Sequence, residues 1–114
     1  MYGCNNENFL TEKAQVIFED KVKKYSKRLG VAVKRVSIKS LRNRWGSLTK
    51  SGVLNLNLNL VKAPADVIDY IILHELCHLK IKDHTDHYWD LLHRYMPSYH
   101  DKVEWLNVNG SNLL

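Results

Sequence analysis

The apolar positions change period along the chain, and each change predicts an element. Ala14, Phe18, Val22, Tyr25 and Leu29 recur at helical spacing, with Thr11 as a candidate cap and Gly30 as a stop. The lysines at 21, 23, 24 and 27 cover the other faces of that helix. Val33 to Ser40 reads as a strand with Val36 and Ile38 on one face, and Lys50-Ser51-Gly52 reads as a turn. Leu54 to Leu60 then alternates leucine with asparagine at period two, which predicts a strand. Leucine and asparagine are weak strand formers, so the alternation carries that reading. Its asparagine face is expected to be solvated or to hydrogen-bond a ligand. Pro64 suits the first turn of a helix reaching about Lys82, with Ile68, Ile72, Leu76 and Leu79 as its buried stripe. Thr85 is placed to cap a third helix ending near Pro97, and Ser98 and Asp101 to start a short fourth one through Leu106. Residues 1–10 and 107–114 are expected to be loose ends. The whole predicts one α+β domain over residues 1–114: an N-terminal helix, a small antiparallel sheet, a long helix and C-terminal helices.

Composition narrows this little. With 45% hydrophobic and 25% charged residues among 114, the chain is ordinary for a globular protein. No apolar run has the length of a membrane span, and the polar, Asn-rich start lacks a secretory pattern, so a cytoplasmic location is expected. Cys4 and Cys77 are too few and too far apart for a disulfide framework and are read as free thiols. Charge says more. Residues 13–50 hold 12 of the 17 Lys and Arg against only Glu19 and Asp20, making that segment +10 within a chain of +5. A lysine-rich solvated face explains this; so does contact with nucleic acid or an acidic partner.

The candidate chemistry lies in the long helix, where residues 74–78 read His-Glu-Leu-Cys-His. Residues four apart share a helix face, so His74 and His78 can present two imidazole nitrogens to one ion. Glu75, about 100° round the helix, can reach a water at that ion and act as general base. A catalytic zinc needs a third protein ligand. His84 follows His78 after five intervening residues, enough for the helix to stop and the chain to return. His84 also precedes the expected cap Thr85. His87 is the weaker alternative, since its direction from within the third helix is not legible. For the developing oxyanion, Tyr95, Tyr99, His93 and His87 are all candidates, and Asp69, Asp90 and Trp89 are candidates for supporting the ligands.

Arg44-Trp45-Gly46-Ser47, Leu56-Asn57, Pro64, Ile68-Asp69-Tyr70, His74-Glu75-Leu76-Cys77-His78 and His84-Thr85 with Tyr88-Trp89 occur in that order. Together they resemble the YgjP-like metal-dependent hydrolases, which are similar to the SprT-like metalloproteases. The resemblance spans roughly residues 10–106. It implies a minimal zincin-type peptidase domain holding one Zn2+ on His74, His78 and His84, with Glu75 catalytic and a peptide or protein as substrate. Members of that family often carry extra sequence before the catalytic part. Metzincins share the gap between the second and third histidines but have glycine where this chain has Ile81. Two other readings stay open: a protease acting on nucleic-acid-bound proteins through the 13–50 segment, and a non-catalytic module in which zinc only staples the fold.

Overall fold

A computed structural model describes residues 2–113, with side chains described from 9 to 111. Helix α1 (Tyr2–Leu29) buries Ala14, Phe18, Val22, Tyr25 and Leu29, the stripe read from the sequence. Gly30 ends it at φ 72°, a left-handed backbone, and the Val31 amide donates to the Ser26 carbonyl at 3.0 Å. That is the bond pattern of a Schellman stop.

Three short strands follow: β1 (Arg35–Lys39), β2 (Gly46–Leu48) and β3 (Val53–Asn57). The expected antiparallel sheet is corrected to a mixed one. Its order is β1-β3-β2, with β1 parallel and β2 antiparallel to β3. β2 and β3 form a hairpin through the Lys50–Gly52 turn, where Gly52 has φ 92°. The chain leaving β1 therefore crosses the end of β3 to reach the opposite edge.

Asn57 fixes that crossing. Its side-chain amide donates to the carbonyls of Leu41 at 2.8 Å and Arg44 at 3.1 Å, and its backbone N–H donates to Trp45 at 2.8 Å. Its side-chain oxygen accepts from the Asn59 amide at 2.9 Å, which caps a 3-10 turn over Leu58–Lys62. Two expectations change here. The strand ends at Asn57 instead of Leu60, and the asparagine face is buried, Asn57 wholly and Asn55 nearly so. The side chain that continues the alternation also satisfies the backbone that breaks it.

Helix α2 (Ala65–Cys77) is central. Beyond the expected Ile68, Ile72 and Leu76, it buries Val67, Tyr70, Ile71, Leu73 and Cys77. Lys21 of α1 meets Asp69 of α2 at 2.7 Å. Leu54 and Leu56 of β3 lie fully buried in the same core. α2 stops five residues before the expected Lys82, because the amides of His78, Leu79 and Lys80 turn to i−3 carbonyls at 3.0–3.1 Å. Helices α3 (Asp86–Tyr95) and α4 (Tyr99–Leu113) complete the fold. Thr85 occupies the cap position of α3 with extended backbone but makes no side-chain cap bond.

The ends expected to be loose are helical where described: residues 2–10 belong to α1 and 107–113 to α4. For α4 the reason is packing, since buried Gly110 lies against the Trp45 ring. Cys77 is a buried free thiol, whereas the Cys4 side chain lies outside the described residues. Among the described residues, no helix is long and apolar enough to cross a membrane.

Candidate metal centre

The last turn of α2 and the loop after it bring three imidazoles together. His74 and His78 stand one turn apart, and His84 returns to face both. Nε2 of His84 lies 3.0 Å from Nε2 of His78 and 3.3 Å from Nε2 of His74. Ligand nitrogens ~2.05 Å from one tetrahedral ion stand about 3.3 Å apart, so this spacing fits a metal site. These three residues form a group able to hold a metal ion, with all ligand atoms within 4.8 Å of one another. His87 does not join them. It lines a separate hollow of about 560 Å³ with Lys80, Asp90 and Arg94.

The other ring nitrogens are occupied in a way that leaves Nε2 free for an ion. Nδ1 of His78 donates to the Ile81 carbonyl at 3.1 Å, and Nδ1 of His74 lies 3.3 Å from the Tyr70 hydroxyl. Aromatic rings hold the imidazoles in place. Tyr88 stacks on His78 at 4.5 Å between centroids, and its hydroxyl donates to the His74 carbonyl at 2.7 Å. Trp89 stacks on His84 at 5.4 Å, and Tyr99 backs Trp89 at 5.7 Å. Trp89 thus packs on a candidate ligand. Asp69 is instead paired with Lys21, and Asp90 belongs to the outer hollow.

Electrostatics favour neutral imidazoles. Burial, reinforced by the neighbouring His78 and His84, lowers His74 to about 4. Burial also lowers His78, against the opposing pull of the Ile81 carbonyl. Both rings therefore offer lone pairs at neutral pH, the form a metal requires. Burial raises the Glu75 carboxyl to about 7, with Arg44 acting in the opposite direction. A carboxyl near neutrality suits proton transfer in either direction.

Glu75 and His74 open onto a cleft of about 360 Å³. Tyr70 and Ile71 complete its α2 side; Arg44, Trp45 and Gly46 form one wall, and Val103, Leu106 and Asn107 of α4 the other. Gly46 packs closely here: a Cβ there would crowd Asn55 O at 3.1 Å and Leu56 Cδ2 at 3.2 Å and touch Glu75 Cγ at 3.4 Å. None of the four oxyanion candidates lines this cleft. The Tyr95 hydroxyl donates to the Arg28 carbonyl at 3.4 Å, Tyr99 stacks on Trp89, His93 lies edge-on to Tyr99, and His87 faces the outer hollow. Tyr70 and Arg44 are cleft residues that spacing alone did not single out. Tyr70 lies four residues before His74 on the same helix face, a relation visible in the sequence once the ligand pair is suspected.

Comparison with known proteins agrees with this fold. The metallopeptidase zymogen abylysin of Pyrococcus abyssi superposes with a TM-score of 0.73 at 21% identity, covering 81% of this chain and 93% of that one. The zymogen jannalysin of Methanocaldococcus jannaschii superposes with a TM-score of 0.71 at 26% identity, covering 82% of this chain and 95% of that one. No curated protein matches the sequence significantly. The YgjP-like metallopeptidase domain matches residues 5–109, nearly the whole chain, and the protein therefore belongs to the YgjP-like metallopeptidase family.

Proposed function

We propose that the protein is a zinc metallopeptidase with His74, His78 and His84 as metal ligands and Glu75 as general base. The observation that carries this reading is the convergence of three Nε2 atoms beside a carboxylate that opens, with His74, onto a cleft. Zinc held there supplies Lewis acidity, which acidifies water and polarises a carbonyl. The Glu75 carboxylate accepts the proton of the attacking water and returns it to the leaving amine. Its raised pKa serves the second transfer, and burial beneath Gly46 keeps it aimed. Ile81 and Tyr70 orient the ligand rings through Nδ1, and Trp45, Val103 and Leu106 give the cleft apolar walls.

The substrate is a peptide or an extended segment of a protein, which fits an open cleft beside the β2 edge. The test is hydrolysis of a mixed peptide library by zinc-loaded protein. Cleavage that chelation and Glu75→Gln both abolish supports the reading; full cleavage by Glu75→Gln sinks it.

Nucleic-acid-bound protein as the substrate is a second reading, motivated by the basic segment. Of its 12 basic residues only Lys21 is partly buried, so the charge is available to a partner. Binding of duplex DNA that weakens steeply with salt supports it, and absence of binding at low salt removes it.

A further inference from the structure

We infer that Arg44 is the substrate-recognition cation of the cleft and takes a carboxylate of the bound peptide, either its free C-terminus or an acidic side chain close to the scissile bond. This rests on the metallopeptidase reading and specifies the substrate within it.

The position of Arg44 is built. Its carbonyl is held by the fully buried Asn57 amide, and the next residue, Trp45, accepts from the Asn57 backbone. The crossing loop therefore presents Arg44 from a fixed backbone, on the same wall as Gly46 and facing α2 and α4. The guanidinium itself is exposed, and among the described residues it makes no ion pair. That includes Glu75, its one acidic neighbour in the cleft lining, which lies beyond ion-pair distance. The cleft lining thus holds one carboxylate and one arginine that form no ion pair with each other, which leaves the guanidinium's hydrogen-bond donors for a ligand's carboxylate.

The remaining lining fits a peptide end or a short acidic segment. Trp45, Ile71, Val103 and Leu106 are apolar, and Asn107 adds a neutral hydrogen-bonding group. Arginine's planar fork matches a carboxylate with two parallel N–H···O bonds, which lysine cannot reproduce. A peptide lying over those apolar walls would cover the pair and strengthen it.

Binding tests this without turnover. Zinc-loaded Glu75→Gln protein is titrated calorimetrically with three peptides of one sequence: a free acid, its C-terminal amide, and the amide with one glutamate introduced. Charged hydrogen bonds are worth roughly 1.5–3 kcal/mol, so the free acid should bind about 10- to 100-fold tighter than the plain amide if the C-terminus is read. Recovery of affinity by the glutamate-bearing amide assigns the side chain instead. Arg44→Ala in the same background should weaken the favoured peptide far more than the plain amide, and Arg44→Lys should restore only part of the preference. Equal binding of all three peptides overturns the inference, as does their common failure to bind. Equal weakening of every peptide by Arg44→Ala also overturns it and assigns Arg44 to a contact shared by all substrates. Circular dichroism and melting of the variants establish that they are folded, as the exposed position of Arg44 leads one to expect. Wild-type turnover separates the two levels. Discrimination without any hydrolysis removes the peptidase reading alone; hydrolysis without discrimination removes the Arg44 assignment alone.

Discussion

The Tyr70 hydroxyl lies 3.3 Å from Nδ1 of His74, one helical turn away on α2. With Nε2 offered to a metal, Nδ1 carries the ring proton and the tyrosine oxygen accepts it. Burial raises the Tyr70 phenol to about 12, so it stays neutral across the working range. Tyr70→Phe keeps the ring and its edge-on contact with His74 while removing that acceptor. Zinc affinity should fall by about 10- to 100-fold, as measured by competition with a calibrated chelator. Unchanged affinity would show that the hydroxyl does not orient the ligand.

The proposed third ligand can be told apart from its rival. His84 faces both His74 and His78, whereas His87 lines another hollow. Elemental analysis should find little zinc in purified His84→Ala and close to one ion per chain in His87→Ala. The reverse result would contradict the three-histidine site, and full occupancy in both would remove His84 from it.

Much of this site was legible because helical spacing is rigid. His74 and Glu75 on α2 and His78 at its helical cap are neighbours whatever surrounds them, and a gap of five residues left few ways for His84 to return. The N-terminal helix was legible for the same reason, as Phe18 and Leu29 fall on one stripe. What periodicity could not show was pairing. A strand alternates alike in parallel and antiparallel neighbours, so β1 could not be placed beside β3 from its own residues. Nor does alternation say when a polar face is buried. Asn57 looked like one more solvated asparagine, yet its partners are carbonyls 13 and 16 residues earlier in the chain. The cleft wall bearing Arg44 depends on that long-range contact and was hidden with it.

The metal-free protein should show two opposed pH dependences. His74 is lowered to about 4, so the unfolded chain binds its proton first as pH falls; that contribution to stability is complete above about 6.5 and is lost towards 4. Glu75 is raised to about 7, so the fold retains a proton that the unfolded chain releases near 4.5; that contribution is complete below about 4.5 and is lost as pH rises through 7. In chelated wild type the Glu75 contribution offsets that of His74 between pH 4.5 and 6.5, while His78, also lowered by burial, adds to the histidine side. Glu75→Gln removes the second and exposes the first. Its unfolding free energy should climb across that window, and by pH 8 it should exceed wild type by up to roughly 3 kcal/mol. Urea melts at pH 4.5, 6.5 and 8 decide this, and a constant difference between the two proteins would refute it.

Gly46 governs the space above the Glu75 carboxylate. An added methyl would crowd Asn55 O and Leu56 Cδ2 and come into ordinary contact with Glu75 Cγ, so the shifts that relieve the crowding are transmitted to Glu75. Relief by small shifts should cost about 1–2 kcal/mol of stability. Displacement of Glu75 should cost more in catalysis, since errors near 1 Å are worth about 100-fold. Gly46→Ala should therefore retain zinc, melt a few degrees lower and lose at least about tenfold in kcat/KM on a cleaved peptide. Wild-type kinetics in this variant would show that the close approach has no catalytic purpose.

Asn57→Asp asks whether the crossing loop and the cleft are one device. The two side chains have nearly the same shape, but a carboxylate cannot donate to the Leu41 and Arg44 carbonyls and would instead repel them. It would also bury a charge in a fully buried position, so the loss should reach about 3–5 kcal/mol if the loop stays closed. The less costly response is for residues 41–45 to lift away and let water reach the introduced carboxylate. Arg44 and Trp45 would then leave the cleft wall while the three histidines, held by α2, Tyr88 and Trp89, stay in place. The expected signature is near-normal zinc content with weakened peptide binding and faster amide exchange through residues 41–45. Loss of zinc in parallel with loss of peptide binding would mean that the metal site and the loop fold as one unit.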